Sequence, residues 1–293
     1  MAKPPPHEIG PGNRLANNTE GVRIGEGDAQ NASRAAAFLH DNVIENGTVG
    51  VNVTAGVYMT DTTGLHWALY SGRARLLRNT IANFSGEGIR VSLRANRSIP
   101  DAPPYAEVLD GNTIRNATYG VRVMSTVNSS SVDPGIRPYA EVAGGNRIEA
   151  TIYGVHLQGA VYGGNTYAVY ADVHDNNTIA NNSYGVWIDA GTTNLTAFRL
   201  WWNDVRQNTE GVHVTGDPPG TEYFHAECNW WDDDLGPHDL SFGLPDQNDN
   251  PAGQPVSDYF WYRELNPPPP PYVPKGWLNR TAGDPLVACN GGV

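Results

Sequence analysis

Long hydrophobic runs and lysine are the two features that this sequence most lacks. No stretch approaches the roughly 20 consecutive apolar residues of a membrane-spanning helix, and the mean hydropathy is −0.44. We therefore expect a soluble protein with no membrane span. Lysine occurs only at Lys3 and Lys275, so arginine supplies the rest of the positive charge. The formal net charge of −12 disfavours nucleic acid and anionic membrane surfaces as partners.

Catalytic signatures are missing as well. The sequence shows no Ser-His-Asp spacing, no phosphate-binding loop and no Cys/His zinc pattern, and its eight histidines are scattered. The first residues, MAKPPPHEIGPG, lack the apolar core of a secretory signal peptide, so we expect a processed or trimmed N-terminus. These absences favour a protein that is not an enzyme, although an acidic column described below keeps an enzyme open.

One short pattern is repeated along the chain: N-x-I-x-x-N-x-x-G-V-x-V. A clear copy, NTIANNSYGVWI, runs from Asn177 to Ile188. Its Ile and Val residues stand two apart, which is the periodicity of a strand, and the polar residues between them suit a tight turn. The seven copies begin at Asn13, Asn42, Asn79, Asn112, Asn146, Asn177 and Asn203.

A fixed core joined by connections of variable length is typical of a solenoid. We predict an all-β parallel β-helix, in which equivalent residues of adjacent coils lie about 4.8 Å apart. The leading asparagines would form a ladder of amide hydrogen bonds, and Ile and Val an apolar column. The segments PYAEVLDGN, PYAEVAGGN and VYADVHDNN predict a third strand per coil. A β-propeller would instead need four strand signals per blade at more even spacing.

The repeats resemble those of right-handed parallel β-helix proteins, a group that includes pectate-lyase-like enzymes, NosD-like proteins and many archaeal and bacterial cell-surface proteins. The resemblance covers about residues 13–240 and implies about seven to eight coils. The stretches CNWWDDDLGPHDL and PVSDYFWYREL resemble the ending "NWWG…GP…VS…Y…WL" of many such surface proteins, with Asp232 in place of the usual glycine. The same scaffold carries lyases, hydrolases, epimerases and adhesins, so the fold leaves the activity open.

We divide the chain into three parts. Residues 1–12 form a Pro-rich extension without regular structure, residues 13–240 the β-helix, and residues 241–293 a Pro- and aromatic-rich C-terminal cap and tail. The segment NASRAAAFLHDNV, residues 31–43, is predicted to be helical and either caps the first coil or joins coils one and two. If it does not cap, the first coil is an open sheet edge that invites partners.

N-glycosylation sequons are more frequent than random placement would give. Their positions are Asn17, Asn31, Asn46, Asn52, Asn83, Asn96, Asn116, Asn128, Asn176, Asn181, Asn194 and Asn279. Five of them, Asn17, Asn46, Asn83, Asn116 and Asn181, occupy the fourth place after a leading asparagine. Turns favour Asn, Ser and Thr in any case, but we interpret the column as real glycosylation on an extracellular surface protein.

Both cysteines, Cys228 and Cys289, lie towards the C-terminus. A disulfide between them would tie the tail back to the last coil, and a pair of buried free thiols is the alternative. The sequons favour the disulfide, because they indicate an oxidising compartment.

An acidic column is the first candidate site. Glu107, Glu141 and Asp172 occupy equivalent positions, and stacked carboxylates repel unless they are solvated or share a cation. Oxygen-rich clusters suit Ca²⁺, so a calcium ion is the one cofactor that we consider. The resemblance to pectate-lyase-like proteins implies a Ca²⁺-assisted lyase with an Arg or Lys base, for which we identify no residue. A solvated acidic face is the alternative.

A second outward column holds the x of G-V-x-V, with tyrosines one residue before each glycine beside it. Such residues could stabilise stacked coils, form a protein interface or bind a glycan, in that order of preference. The residues of this face are Arg90, Arg122, His156, Trp187, His213, Tyr119, Tyr153 and Tyr184.

Our preferred hypothesis is a non-enzymatic, N-glycosylated extracellular protein of cell-surface architecture or adhesion. It would associate with itself, head to tail, into filaments or a coat, or bind a cell-surface glycan. One alternative is a polysaccharide lyase or glycoside hydrolase that uses the acidic column. Another is a viral tail fibre or tailspike, of which trimerisation would be the mark.

Overall fold

The computed structural model describes most of the repeat region and parts of the C-terminal region. Described are residues 7–25, 33–59, 67–95, 103–127, 137–189, 198–215, 224–226, 228–232, 237–239, 255–256, 260–261, 277–278 and 289–290. Over these residues the fold is all-β, without a helix. Accordingly, the described part has no helix with the length and apolar character needed to cross a bilayer.

The strands of the described residues are numbered in chain order. The first thirteen are β1 (His7–Ile9), β2 (Arg14–Ala16), β3 (Glu20–Ile24), β4 (Ser33–His40), β5 (Val43–Met59), β6 (Trp67–Leu77), β7 (Thr80–Ala95), β8 (Tyr105–Leu109), β9 (Thr113–Val127), β10 (Tyr139–Ala143), β11 (Arg147–Glu149), β12 (Tyr153–Gln158) and β13 (Ala160–Tyr162). The others are β14 (Asn165–Tyr167), β15 (Tyr170–His174), β16 (Thr178–Ala180), β17 (Tyr184–Asp189), β18 (Phe198–Trp201), β19 (Asp204–Arg206), β20 (Glu210–Thr215), β21 (Phe224–His225), β22 (His238–Asp239), β23 (Pro255–Val256), β24 (Phe260–Trp261), β25 (Trp277–Leu278) and β26 (Cys289–Asn290).

Parallel pairing from one repeat to the next joins most strands into one 22-stranded curled sheet. The N-x-I strands form a first ladder, β2-β5-β7-β9-β11-β16-β19. The G-V-x-V strands form a second, β3-β5-β7-β9-β12-β17-β20. The predicted third strand of each repeat is confirmed by a third ladder, β1-β4-β6-β8-β10-β15-β18-β21-β24. The arrangement is solenoid-like.

Apolar columns fill the inside of the sheet. In the first ladder the consensus isoleucine recurs in register, and Ile44, Ile81, Ile114, Ile148 and Ile179 are all 0% exposed. Their neighbours in the second ladder, such as Val121 and Val123, are also fully buried. The predicted stacking of Ile and Val is therefore confirmed, and it places alternate residues of each strand on the outer surface.

The predicted asparagine ladder is also confirmed. Each side-chain Nδ2 donates to the Oδ1 of the next asparagine over 2.8–3.1 Å. From Asn79 onwards the same Oδ1 atoms also accept a bond from the preceding asparagine's backbone N–H, as Asn146 Oδ1 does from Asn112 at 3.0 Å. Asn229 adds an eighth rung that the sequence reading missed, although it begins a shortened N-x-aromatic copy of the motif.

The consensus glycine is required by the close approach of successive repeats. A Cβ atom placed on Gly120 would lie 2.5 Å from the carbonyl oxygen of Gly154 and 2.6 Å from the Cγ2 atom of Ile148. Both contacts are shorter than van der Waals distance, and one is to backbone that cannot move without breaking the ladder. Glycine therefore sets the spacing between repeats at this column.

Three expectations are corrected at the ends of the solenoid. The predicted helix at residues 31–43 is wrong, because Ser33–His40 is strand β4 between β1 and β6. Burial of Leu39 and parallel pairing on both sides override the helix propensity of its three alanines. The predicted extension is also wrong over His7–Ile9, which is strand β1. At the other end β23 and β24 pair with β20 and β21, so pairing continues beyond residue 240.

Cys228 is disulfide-bonded, and Cys289 is the only other cysteine of the sequence. The Cys228 side chain is buried beside the last rung of the asparagine ladder. The side chain of Cys289 lies outside the described residues, so the path by which the tail returns stays a prediction.

A polar bridge joins the first three repeats at the end of the third ladder. His40 Nε2 lies 2.8 Å from Glu8 Oε1, and His40 Nδ1 lies 2.9 Å from Asp41 Oδ2. Asp41 in turn accepts a bond of 2.7 Å from Arg78 Nε. The contacts with Asp41 and Glu8 raise the pKa of His40, whereas Arg78 and His40 lower the pKa of Asp41.

We expect Asn146→Ala to destabilise the protein by about 3 kcal/mol, because it leaves several buried groups without a partner. The amide of Asn146 is 0% exposed and donates to the carbonyls of Val108 and Ala143 as well as to Asn177. Urea denaturation measures the change. Asn13→Ala, at the exposed end of the same ladder, is the control and should cost much less; equal losses would contradict a ladder supported from both sides.

We also expect the stability of the first repeats to depend on the charge of His40. Since its pKa is raised on folding, the stabilisation is fully present below the ordinary histidine value of about 6.5 and is lost as pH rises through the raised value. The melting temperature of wild type should therefore exceed that of His40→Gln at pH 5.5, and the difference should shrink as the pH rises through the raised pKa of His40. Parallel melting profiles across this range would refute the linkage.

Candidate functional site

The outer side of the second ladder carries a cluster of polar and aromatic side chains. We call it the polar face. Residues of one column stack in register from repeat to repeat: Arg23, Asn52, Arg90, Arg122, His156, Trp187 and His213. The residue before each glycine forms a second column: Glu20, Val49, Glu87, Tyr119, Tyr153, Tyr184 and Glu210. All eight residues predicted for a binding face thus lie together.

Glu87 is the centre of this face. Its side chain is only 3% exposed, and it accepts bonds from Arg90 Nη2 at 2.6 Å and Arg122 Nη1 at 3.1 Å. Arg122 Nη2 also donates to Gln158 Oε1 at 2.6 Å. Two guanidinium groups share one carboxylate, so this part of an acidic protein carries a local positive charge.

An inserted residue brings Glu87 to this position. The repeat that begins at Asn79 is one residue longer between its leading asparagine and its glycine than the other copies. The ladder absorbs the extra residue as a register shift between Phe84 and Glu87, after which Glu87 pairs with Tyr119. The insertion therefore changes the local turn and leaves the stacking of the G-V-x-V strand intact.

Several buried polar atoms of this face have no hydrogen-bond partner in the described structure. They are Asn52 Oδ1, Thr54 Oγ1, Arg90 Nε, Ser92 Oγ, Arg122 Nε and His156 Nδ1. Ser125 Oγ is a further buried atom of this kind among the described residues. Buried polar groups are normally satisfied, so their concentration on one face marks it as unusual.

The aromatic rings of the face cover one another. Tyr119 and Tyr153 stack with centroids 4.9 Å apart, and Tyr153 and Tyr184 at 5.5 Å. His156 stacks on Tyr119 at 5.0 Å, and Trp187 on His213 at 4.1 Å. With a ring on each side, Tyr153 has no free face for a sugar ring, so these contacts favour the predicted role in coil stacking.

Asp189 lies at the C-terminal end of the polar face, beside Trp187 and His156. It accepts hydrogen bonds from Trp187 Nε1 at 2.9 Å and Thr215 Oγ1 at 3.0 Å, and His156 Nε2 lies 3.6 Å away. Burial alone would raise the pKa of Asp189, but the bonds from His156 and Trp187 outweigh it and lower that pKa. Asp189 is therefore held ionised beside His156.

The acidic column lies on the third ladder, where Glu107, Glu141 and Asp172 stack in register as predicted. Each carboxylate already has proton donors beside it. Glu107 accepts from Arg73 Nη2 at 3.0 Å, and Glu141 from the Tyr105 hydroxyl at 2.6 Å. Asp172 pairs with Arg199 and accepts from Trp201 Nε1 at 3.1 Å.

Arg73 and Arg199 supply positive charge beside Glu107 and Asp172 and so reduce the repulsion between the stacked carboxylates. Among the residues that the structure describes, no group of three or more His, Cys, Asp or Glu side chains is arranged to hold a metal ion. Burial and the neighbouring carboxylates raise the pKa of Tyr105 and also raise that of Tyr139 to about 12. Tyr105 and Tyr139 therefore stay protonated, and Tyr105 donates its proton to Glu141.

The five column sequons, Asn17, Asn46, Asn83, Asn116 and Asn181, are exposed and adopt φ angles of 53–64°. Ala150 and Gln207 occupy the same place with φ angles of 52° and 53°. The turn thus needs a left-handed residue in every repeat, which favours asparagine without any glycan.

The other sequons differ in their surroundings. Asn176 is exposed, whereas Asn52 is 3% exposed and belongs to the polar face. Five predicted glycosylation positions, Asn31, Asn96, Asn128, Asn194 and Asn279, lie outside the described residues.

Sequence reasoning missed the residues that make the face polar between its aromatic groups. These are Glu87, Gln158, Thr54 and Ser92, with Asn52 read only as a sequon. The extra residue before Glu87 was a visible signal. The small hydroxyl residues gave none, because Thr and Ser are ordinary outward residues of a strand.

No protein-family model matches the chain, and a search of curated proteins finds no match either.

We expect Glu87→Gln to lower the free energy of unfolding by about 3 kcal/mol, because it leaves two largely buried guanidinium groups without their counter-ion. Arg90 and Arg122 are 16% and 17% exposed. Glu45→Gln is the matched control, since Glu45 pairs with Arg14, which is 71% exposed. That change should cost less than about 1 kcal/mol. Similar losses in the two variants would show that Glu87 is an ordinary surface partner.

Proposed function

We propose that this chain is a non-enzymatic, N-glycosylated extracellular protein with a structural or adhesive role. Its scaffold would be a right-handed parallel β-helix of about seven to eight coils. The observation that carries the proposal is the line of exposed asparagines at equivalent turns, each within a sequon and each facing solvent.

An asparagine that is selected by the left-handed turn can also carry a glycan. The turn selects asparagine for its backbone, and its side chain is then exposed along one edge of the solenoid. Glycans on that edge would shield it from proteases and from lateral pairing with other sheets. The disulfide at Cys228 supports the same compartment, because disulfides persist in oxidising surroundings.

The acidic column supports a function without catalysis. Its three carboxylates are engaged by Arg73, Tyr105, Arg199 and Trp201. The two arginines neutralise part of the negative charge of this column, and all four donors join neighbouring repeats, which is a structural role.

Self-association would use the first repeat. Over the described residues β1, β2 and β3 are paired with later repeats on one side only. Ile9 and Leu15 are partly exposed, whereas the residues stacked on them, Leu39 and Ile44, are 0% exposed. An unpaired strand edge over a partly exposed core is a template for further pairing, so we propose head-to-tail assembly into filaments or a coat.

Peptide mapping of the natively produced protein tests this proposal. We expect glycans on the exposed column, at Asn17, Asn46, Asn83, Asn116 and Asn181, because the turn presents each side chain to solvent. Asn52 is the internal control: a native protein should carry no glycan there, since that side chain is buried. Electron microscopy of the same preparation should show filaments or sheets. Bare column asparagines would contradict the glycoprotein proposal, and dispersed monomers would contradict the assembly.

A further inference from the structure

The middle of the polar face combines positive charge with unused hydrogen-bonding capacity. Arg90 and Arg122 stack in register, with Asn52 before them in the same column. Thr54 and Ser92 form a parallel column two residues further along the strands. We call these five residues the arginine cluster.

The charge of the cluster exceeds what its own partners neutralise. Glu87 is the one carboxylate bonded to both arginines among the described contacts. Glu20 bonds instead to Arg23 at 2.5 Å and to the amide of Asn52 at 3.3 Å. Arg90 and Arg122 thus carry one positive charge more than the carboxylate bonded to them, in a chain whose formal net charge is −12.

The unused donors belong to the same residues. The Nε–H groups of Arg90 and Arg122 and the hydroxyls of Thr54 and Ser92 are buried without a partner. The exposed fractions of Thr54 and Ser92 are 4% and 1%, although both alternate with the inward-facing Val53, Val91 and Leu93. Four unpartnered proton donors therefore belong to the arginine cluster.

These donors favour one kind of ligand. Guanidinium N–H groups bind carboxylate and sulfate oxygens in directed, charge-assisted hydrogen bonds. Hydroxyl groups donate to the same oxygens. A neutral ligand would leave the positive charge unmatched, and a cation would be repelled.

We propose that the arginine cluster binds an oxyanion group of a ligand, a carboxylate or a sulfate, with Arg90 and Arg122 as charge partners and Thr54 and Ser92 as hydroxyl donors. This goes beyond the proposed structural role and does not depend on glycosylation or on assembly. Glu87 is a positioning residue, since it fixes both guanidinium groups from the side and leaves their Nε–H groups unused.

A purely structural role for the hydroxyls predicts the opposite of what a binding role predicts. A buried hydroxyl without a partner lowers stability, so a sequence serving stability alone gains by replacing Ser92 with alanine. Rules of local consistency are broken at functional sites. The two roles can be distinguished by replacing Ser92. If the hydroxyl serves stability, the replacement changes only the stability of the protein; if it binds a ligand, the replacement lowers the affinity for that ligand.

The probes are sodium acetate and sodium sulfate, titrated against the full-length protein at constant ionic strength kept with chloride. Arginine Nε–H signals are followed by ¹⁵N NMR and assigned with Arg90→Lys and Arg122→Lys. We expect saturable shifts of those two signals and none for Arg14, which lies on the first ladder. Acetate and sulfate separate a planar from a tetrahedral oxyanion, and either response supports the proposal. Absence of a saturable shift with both anions overturns it.

The hydroxyl variants give the decisive comparison. Ser92→Ala combined with Thr54→Val should leave the melting temperature of the free protein unchanged or higher and weaken anion binding about tenfold, as expected for lost bonds to a charged group. Ser125→Ala is the matched control, because Ser125 is also buried with an unpartnered hydroxyl but stacks on the inward-facing Leu93. It should leave affinity unchanged. Equal affinity in the double variant and wild type overturns the proposal.

Discussion

The spacing between adjacent parallel strands, about 4.8 Å, is the constraint on which the whole molecule depends. Once the backbones of successive repeats pair in register, each side chain must tolerate a copy of its own position directly above and below. Asparagine meets this condition by giving and receiving the same amide bond, Ile and Val by packing on themselves, and glycine by allowing the approach of carbonyl oxygen to Cα. Side chains that cannot stack in this way are confined to the outer surface.

Charged residues show how the outer surface meets the same condition. A column of like charges would repel itself at this spacing. On the third ladder the carboxylates stand between arginines, so that Arg75, Glu107, Glu141, Asp172 and Arg199 follow one another in register. On the second ladder a single carboxylate, Glu87, serves two arginines, and the compensation is incomplete. That difference separates a column that stabilises from one that can receive a ligand.

Much of the fold could be read from the sequence because its chemistry is periodic. The leading asparagines, the Ile and Val columns and the Tyr-Ala-Glu-Val strands all repeat, and each was found where it was predicted. The two N-terminal strands were not predicted because they do not carry the repeated pattern. His7–Ile9 has no consensus residue, and the alanines of Ser33–His40 locally favour a helix. Tertiary pairing decided both segments against local preference.

The candidate site was likewise predictable where it follows the repeat and unpredictable where it does not. The stacked column from Arg90 to His213 follows from the repeat alone. The shared carboxylate of Glu87 depends on a one-residue bulge, and the isolation of the Ser92 hydroxyl depends on burial by neighbours that are distant in sequence. Residue types alone predict neither the shared carboxylate nor the unpartnered hydroxyl, because both arise only when several repeats are stacked.

The asparagine ladder has a direction, since each amide donates towards the C-terminal repeat and accepts from the N-terminal one. Every interior rung therefore presents an amide donor to the next repeat and an amide acceptor to the previous one. Duplication or loss of one complete repeat would rejoin the ladder without an unmatched donor or acceptor, whereas gain or loss of part of a repeat would break it. A chain of this kind can thus change its length in whole repeats, because each copied repeat is already compatible with itself.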